Sequence, residues 1–297
     1  MIGTSPTPRV ATIALLTSGL LWGLTWMPLR YFADQQLTGL TLSIATYGVV
    51  GVLGAPWLWV QRDRWTRQWG LMLVSGLACG LANACFVTAI MFGEIARAML
   101  LFYLTPLWGV LGGRLFFQEP LTPARVTCLG MALGGAVLVL GGPDTLAGGF
   151  RWMDLIAIGA GFFYAVQNLA SRAATQVPIP IKVAVAFAGC GIVAAALLPV
   201  AGHEFPSFDA ALTVKLGAFT LVWLIAAMWT QIYGVSHMEA GRAAVLVVFE
   251  LVAAVVSAMI IAGERLDPMG WVGAALIVSA ALVEARTHSS PAEESHP

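Results

Sequence analysis

EIARAMLLFYLTPLWGVLGGRLFFQEPLTP, residues 94–123, returns 145 positions later as EAGRAAVLVVFELVAAVVSAMIIAGERLDP, residues 239–268. Laid over one another without a gap, Glu94, Arg97, Ala98, Leu101, Glu119, Leu121 and Pro123 fall on Glu239, Arg242, Ala243, Leu246, Glu264, Leu266 and Pro268. Each copy is an apolar stretch between the same charges, long enough for a helix to cross a hydrocarbon layer that takes roughly 20 residues. An offset of 142 sets Gly19, Trp22, Trp26 and Arg30 on Gly161, Tyr164, Asn168 and Arg172, which carries the repeat to the first helix of each half.

The rest of the chain has the same character. With 297 residues, 59% hydrophobic and 10% charged, it holds more apolar surface than one water-soluble core can bury. Loop chemistry (QRDRWTRQ, QEPLTP, GGPDTLAGG, VPIP, GHEFPSFD) divides it into ten apolar runs, at 9–32, 36–60, 68–91, 95–116, 121–141, 152–174, 179–200, 211–235, 240–262 and 267–286. The reading is an all-α polytopic membrane protein of ten transmembrane helices. Five helices per half is an odd number, so the second repeat is inverted relative to the first, an architecture common among secondary transporters. The halves are residues 1–143 and 144–288, with a polar, disordered tail at 289–297.

With the N terminus in the cytoplasm, ten cations (Arg9, Arg62, Arg64, Arg67, Arg114, Arg125, Arg172, Lys182, Arg242, Arg286) lie at cytoplasmic ends against five outside (Arg30, Arg97, Arg151, Lys215, Arg265). That bias predicts both termini inside. Arg9 precedes the first run as in a secretory signal, but no short apolar core leads to a small-residue cleavage site, so the run is expected to stay as the first helix.

Several classes are excluded. Fifteen basic against fifteen acidic residues give nucleic acid no basic footprint. Cys79, Cys85, Cys128 and Cys190 lie in apolar runs without a CxxC pair and read as small buried hydrophobes, with no metal site or cofactor expected. No GxxxxGK loop is present to bind ATP, and no Ser/His pair, paired midspan aspartates or HExxH supports an enzyme. The expected partners are a small-molecule solute and the lipid bilayer.

The segment from Glu94 to Leu140 and its second copy from Glu239 to Glu284 resemble the EamA repeat of the drug/metabolite transporter superfamily, carried by Pro106, the turn from Glu119 to Pro123 and the Gly-rich helix through Gly130, Gly134 and Gly135. Within it the chain looks most like the YddG-type amino-acid exporters. The resemblance implies a bacterial inner-membrane carrier with a central cavity, exporting amino acids, large neutral and aromatic ones included, by alternating access. The alternative is an exporter of cationic drugs or other metabolites.

Such a cavity needs aromatic and polar residues facing inward. Trp22 and Trp26 share a helix face, as do their equivalents Tyr164 and Asn168; membrane-interface anchoring is the competing reading for the tryptophans. Asn83, Gln167, Asn168, Gln231 and Glu250 are polar residues in midspan, where an unpaired group is costly and faces protein or water; interhelical bonding is the plainer alternative. Glu250 is the only acidic residue near the centre of a span and suits a substrate ammonium or a coupling proton. Tyr103 and Thr105 precede Pro106, whose missing amide hydrogen makes the fourth helix a hinge candidate. In the second copy Glu250 and Leu251 stand where Thr105 and Pro106 stand, so the halves are not expected to kink alike. The brackets Glu94 with Arg97 and Glu239 with Arg242 each put opposite charges three apart on one helix face, read as helix-end anchors with a gate network as the alternative. Four GxxxG pairs, from Gly19, Gly76, Gly109 and Gly130, read as packing within a monomer rather than as dimer contacts.

Overall fold

The computed structural model describes residues 8–147, 149–201, 209–263, 265 and 267–286. All the regular structure among them is helical. Glu264, Leu266, most of the GHEFPSFD turn and the polar tail lie outside the described residues. Among the described residues eight helices are long and apolar enough to cross a bilayer: α1 (Arg9–Asp34), α2 (Gly39–Val60), α3 (Thr66–Phe92), α4 (Ile95–Phe117), α6 (Trp152–Ala173), α7 (Ile179–Pro199), α8 (Ala210–Ser236) and α9 (Ala240–Ile261). Two shorter apolar helices are α5 (Pro123–Val139) and α10 (Pro268–Val283). The start of α5 is fixed by Pro123 at its first position and by Thr122, whose hydroxyl accepts the Arg125 amide at 3.2 Å. Its end is fixed by left-handed turns at Gly141 and Gly142. It therefore has 17 residues, short of a full-length crossing.

The ten helical stretches begin and end within a few residues of the apolar runs because the same loop chemistry stops both. What hydropathy does not specify is the packing. α1 lies on α8 and α9, helices of the other half, and α6 lies on α3 and α4 in return. The first helix of each repeat is thus exchanged into its counterpart. α5 pairs with α10, and α7 packs on α2 and α3. Glycine makes the exchange possible: a Cβ on Gly161 of α6 would stand 2.5 Å from the Phe102 carbonyl oxygen on α4, and one on Gly23 of α1 would stand 2.6 Å from the Glu250 carbonyl oxygen on α9. The outer shell faces lipid, with Ile260 exposed by 78% and Val52 by 74%, which in water would be an aggregation surface.

Contacts at the helix ends give the helix directions. Glu119, just past the end of α4, meets Arg172 at the end of α6 and the amide of Ala240 at the start of α9. Arg242, also at the start of α9, donates to Thr12 at the start of α1. So α4 runs with α6, α1 runs with α9, and these two pairs run in opposite directions. Equivalent helices of the two copies are antiparallel.

Both fourth helices are broken near their middle. α4 divides into Ile95–Phe102 and Thr105–Phe117, and α9 into Ala240–Val247 and Phe249–Ser257. Both halves break at the matching place, and they do so by different means. In α4 Pro106 has no amide hydrogen for the Phe102 carbonyl, and the Thr105 hydroxyl takes it instead at 2.6 Å. In α9, without proline, Val248 donates to Val245 and Leu251 donates to Val248 in tight i to i−3 bonds. The break is a property of the repeat, and proline is one way to make it.

Candidate functional site

The exchange of first helices brings α1, α4, α6, α8 and α9 to a common centre, where most of the polar midspan residues meet. The Trp22 indole donates to Gln231 Oε1 at 2.8 Å, and Gln231 Nε2 donates to Asn168 Oδ1 at 3.1 Å. The Tyr164 hydroxyl lies beside Asn168, one turn along α6. Gln231, 1% exposed, thus ties α1 to α6 through α8, a buried relay in which both ends of its amide are satisfied. Beside it, the Tyr103 hydroxyl and the Glu250 carboxyl face one another between the broken segments of α4 and α9. Phe102 links the two groups, its ring 5.4 Å from Tyr103 and 5.5 Å from Tyr164. Glu250 lies in the first turn of the second α9 segment, the positive end of that helix.

The remaining predicted residues fall around this centre. The Trp26 indole donates to Ser257 Oγ at 2.9 Å, one turn further along α1. Thr105 and Asn168 line a cavity of about 20 Å³ with Gly109, Arg172, Val235 and Ala244. Pro106 is buried in the first turn after the α4 break. Asn83 accepts from Ser43 at 2.7 Å, joining α3 to α2, and no bond connects it to the central relay among the described residues.

Charged networks close both ends of this core. At the face where α1 begins, Glu119 accepts the amides of Ala240 at 2.8 Å and Gly241 at 3.0 Å and pairs with Arg172 and Arg125, while Arg125 also pairs with Glu239. Gln118, in the left-handed conformation (φ 56°), turns the chain to put Glu119 there. Burial alone raises the Glu119 carboxyl pKa, but the Gly241 and Ala240 amides and Arg172 outweigh it and hold it below the usual carboxylate range. At the opposite face Arg97 pairs with Asp154 through two bonds of 2.6 Å and donates to the Ala147 and Gly149 carbonyls, and Arg151 pairs with Glu94.

In these networks the charges of each bracket find their partners on other segments. Arg97 bonds Asp154 of α6 rather than Glu94, and Glu239 bonds Arg125 of α5 rather than Arg242. Residues three apart on a helix can meet, but a guanidinium near lipid gains more from a buried bidentate carboxylate on a neighbouring helix. The Gly130 and Gly134 positions meet nothing within 4 Å, whereas Gly19, Gly76 and Gly109 do pack inside the monomer; the close approach on α5 is at Gly135.

Sequence reasoning missed Ser257 and Trp223. The Trp223 indole donates to the Thr25 hydroxyl at 2.9 Å, pinning α8 to α1. No local signal marks either pairing, because each joins segments about 200 residues apart, where only the fold sets register.

An all-helical, lipid-faced body made of two related halves, with a buried polar centre closed at both ends, defines a multi-pass membrane carrier. The chain belongs to the EamA-like transporter family, whose model matches residues 9–141 and 151–284, a family of membrane transporters of small solutes. A crystal structure superposes with a TM-score of 0.72, covering 92% of this chain and 96% of that one at 23% identity, a likeness that speaks for the fold alone. No curated protein matches by sequence.

Proposed function

We propose that this carrier exports amino acids, large neutral and aromatic ones included, in the manner of the YddG-type exporters. Residues 1–143 and 144–288 act as two inverted five-helix repeats making ten crossings of a bacterial inner membrane, with both termini cytoplasmic. The observation that carries the reading is the central assembly of Trp22, Tyr103, Tyr164, Asn168, Gln231 and Glu250: aromatic faces for an apolar side chain, amides for a carboxylate, a carboxyl for an ammonium. Trp26, Thr105 and Asn83 extend its walls.

The cavity that Asn168 shares with Thr105 beside this assembly, at about 20 Å³, has room for one water and not for an amino acid. Binding requires the helices to part, with Pro106 and the matching break at Val248 as the hinges and the two charged networks as alternating gates. Glu250 favours a second reading, export of an organic cation. Counterflow in proteoliposomes separates them: phenylalanine and leucine are expected to exchange and to compete with one another, with tetraphenylphosphonium inert. Exchange of the organic cation alone replaces the first reading by the second.

A further inference from the structure

Lys182, in the first turn of α7, plays no part in the site above, yet it is 2% exposed. Its ammonium donates to the Ser171 carbonyl at 2.6 Å and to the Ser236 hydroxyl at 2.9 Å. Ser171 lies in the last turn of α6 and Ser236 is the last residue of α8. One cation therefore clasps the C-terminal ends of two helices, where unsatisfied carbonyls and the helix dipole favour positive charge. The Ser236 hydroxyl also donates to the Ser171 carbonyl at 3.3 Å.

The surroundings of this ammonium are uncharged. From α6 it is bonded by Ser171, whose hydroxyl accepts from Gln167, while Arg172 pairs with Glu119. From α3 comes Ser75, 2.9 Å from the Ser171 hydroxyl. From α8 comes Ser236, with the next residue, His237, exposed and bonded to the Tyr233 carbonyl. From α2 the ionisable group is Tyr47, its ring tilted against Phe187 more than a turn deeper, and Cys79 and Cys190 lie two turns deeper. The α2–α3 connection reaches the α6–α7 turn through Gln68, with Arg62, Asp63, Arg64 and Arg67 exposed. Among the described residues no carboxylate pairs with Lys182.

The clasp lies directly behind a cavity wall. Asn168, Leu169 and Arg172 of α6 line the cavity on one side and Val235 of α8 on the other, next in sequence to the two clasped serines. We propose that Lys182 is a proton-operated latch: as an ammonium it holds α6 to α8, and on losing its proton it releases them and opens the cavity to the face where α1 begins. A neutral amine keeps two N–H donors but loses the charge that strengthens both bonds and favours the two helix C-terminal ends, so its hold on the Ser171 carbonyl and the Ser236 hydroxyl is weaker than the ammonium's. The latch belongs to the carrier and does not depend on which solute is carried.

The test needs no substrate. The Val235→Cys variant of the full chain in detergent reports cavity access through its rate of modification by a water-soluble maleimide, with the parent protein and its four native cysteines as background. At neutral pH, adding Lys182→Met is expected to speed labelling several-fold, and adding Lys182→Arg to leave it slow. Going to alkaline pH, the labelling rate with Lys182 present, divided by that of the permanently charged Lys182→Arg protein, is expected to climb several-fold. Equal rates for the Met and Arg variants, or a flat ratio, overturn the latch. If the Met variant does not fold, the Lys to Arg ratio still decides, supported by Ser236→Ala, for which a smaller acceleration is expected.

Discussion

Glu119 of the first repeat caps the first turn of α9 in the second, its Oε1 accepting the Ala240 amide at 2.8 Å. One carboxylate so placed satisfies a helix end and two guanidinium groups together. Glu119→Gln keeps the shape but removes the charge, and is expected to lower stability by about 2 kcal/mol, the scale of a hydrogen bond to a charged group. Thermal unfolding in detergent measures this.

The same residue sets an acid response. Its folded carboxyl ionises at lower pH than in the unfolded chain, so its contribution is complete above the ordinary carboxylate value of about 4.3. The contribution is lost as pH falls through the lower folded value. The melting temperature of the parent protein is expected to fall on acidification below that range, with a visibly shallower fall in Glu119→Gln. Parallel curves would show that Glu119 is not the group responsible.

Gly161→Ala puts a methyl 2.5 Å from the Phe102 carbonyl oxygen, which real contacts do not allow. Backbone must shift between α6 and α4, and an overpacking cost of about 1 to 3 kcal/mol is expected. Gly130→Ala, at a position that meets nothing within 4 Å, serves as the control and is expected to be neutral.

In the central relay, Gln231→Leu leaves the Trp22 indole and the Asn168 carbonyl oxygen without their partner. Buried membrane hydrogen bonds average about 0.6 kcal/mol, so a double-mutant cycle of Gln231→Leu with Trp22→Phe is expected to show a coupling of that order. A value indistinguishable from zero would mean that the two residues act independently.

Glu250→Gln is expected to reach the membrane in normal amount while changing export or its pH dependence, measured as flux at two pH values in proteoliposomes. Unchanged flux across pH removes Glu250 from the mechanism. Pro106→Ala is expected to slow exchange a few-fold with little change in apparent affinity. A normal rate assigns the α4 motion to the tight turns that α9 uses without proline.

The helical runs were legible because each crossing needs a continuous apolar stretch and each connection needs Gly, Pro or charge. The two-copy organisation was legible from Glu94 to Pro123 alone. Partner choice was not: Arg97 has Glu94 three residues away and Asp154 on another helix, and burial with bidentate geometry decides for Asp154. The break at Val248 gave no sign because it contains no proline. Glu119 was visible only as part of a turn, since its work is done on Arg172 and Ala240, which the fold brings to it.

The exchanged first helices also bear on how the protein is made. α1 leaves the ribosome with its apolar and indole surface complete, yet α8 and α9, which cover Ser18, Trp22 and Gly23, are synthesised near the end, with only α10 to follow. Until then α1 waits in the lipid as a lone span with its polar groups unmatched. Neither half is a finished object on leaving the insertion machinery, and a chain interrupted after α7 has a first helix with nowhere to dock. Assembly is therefore a closing step, taken once, near the end of translation.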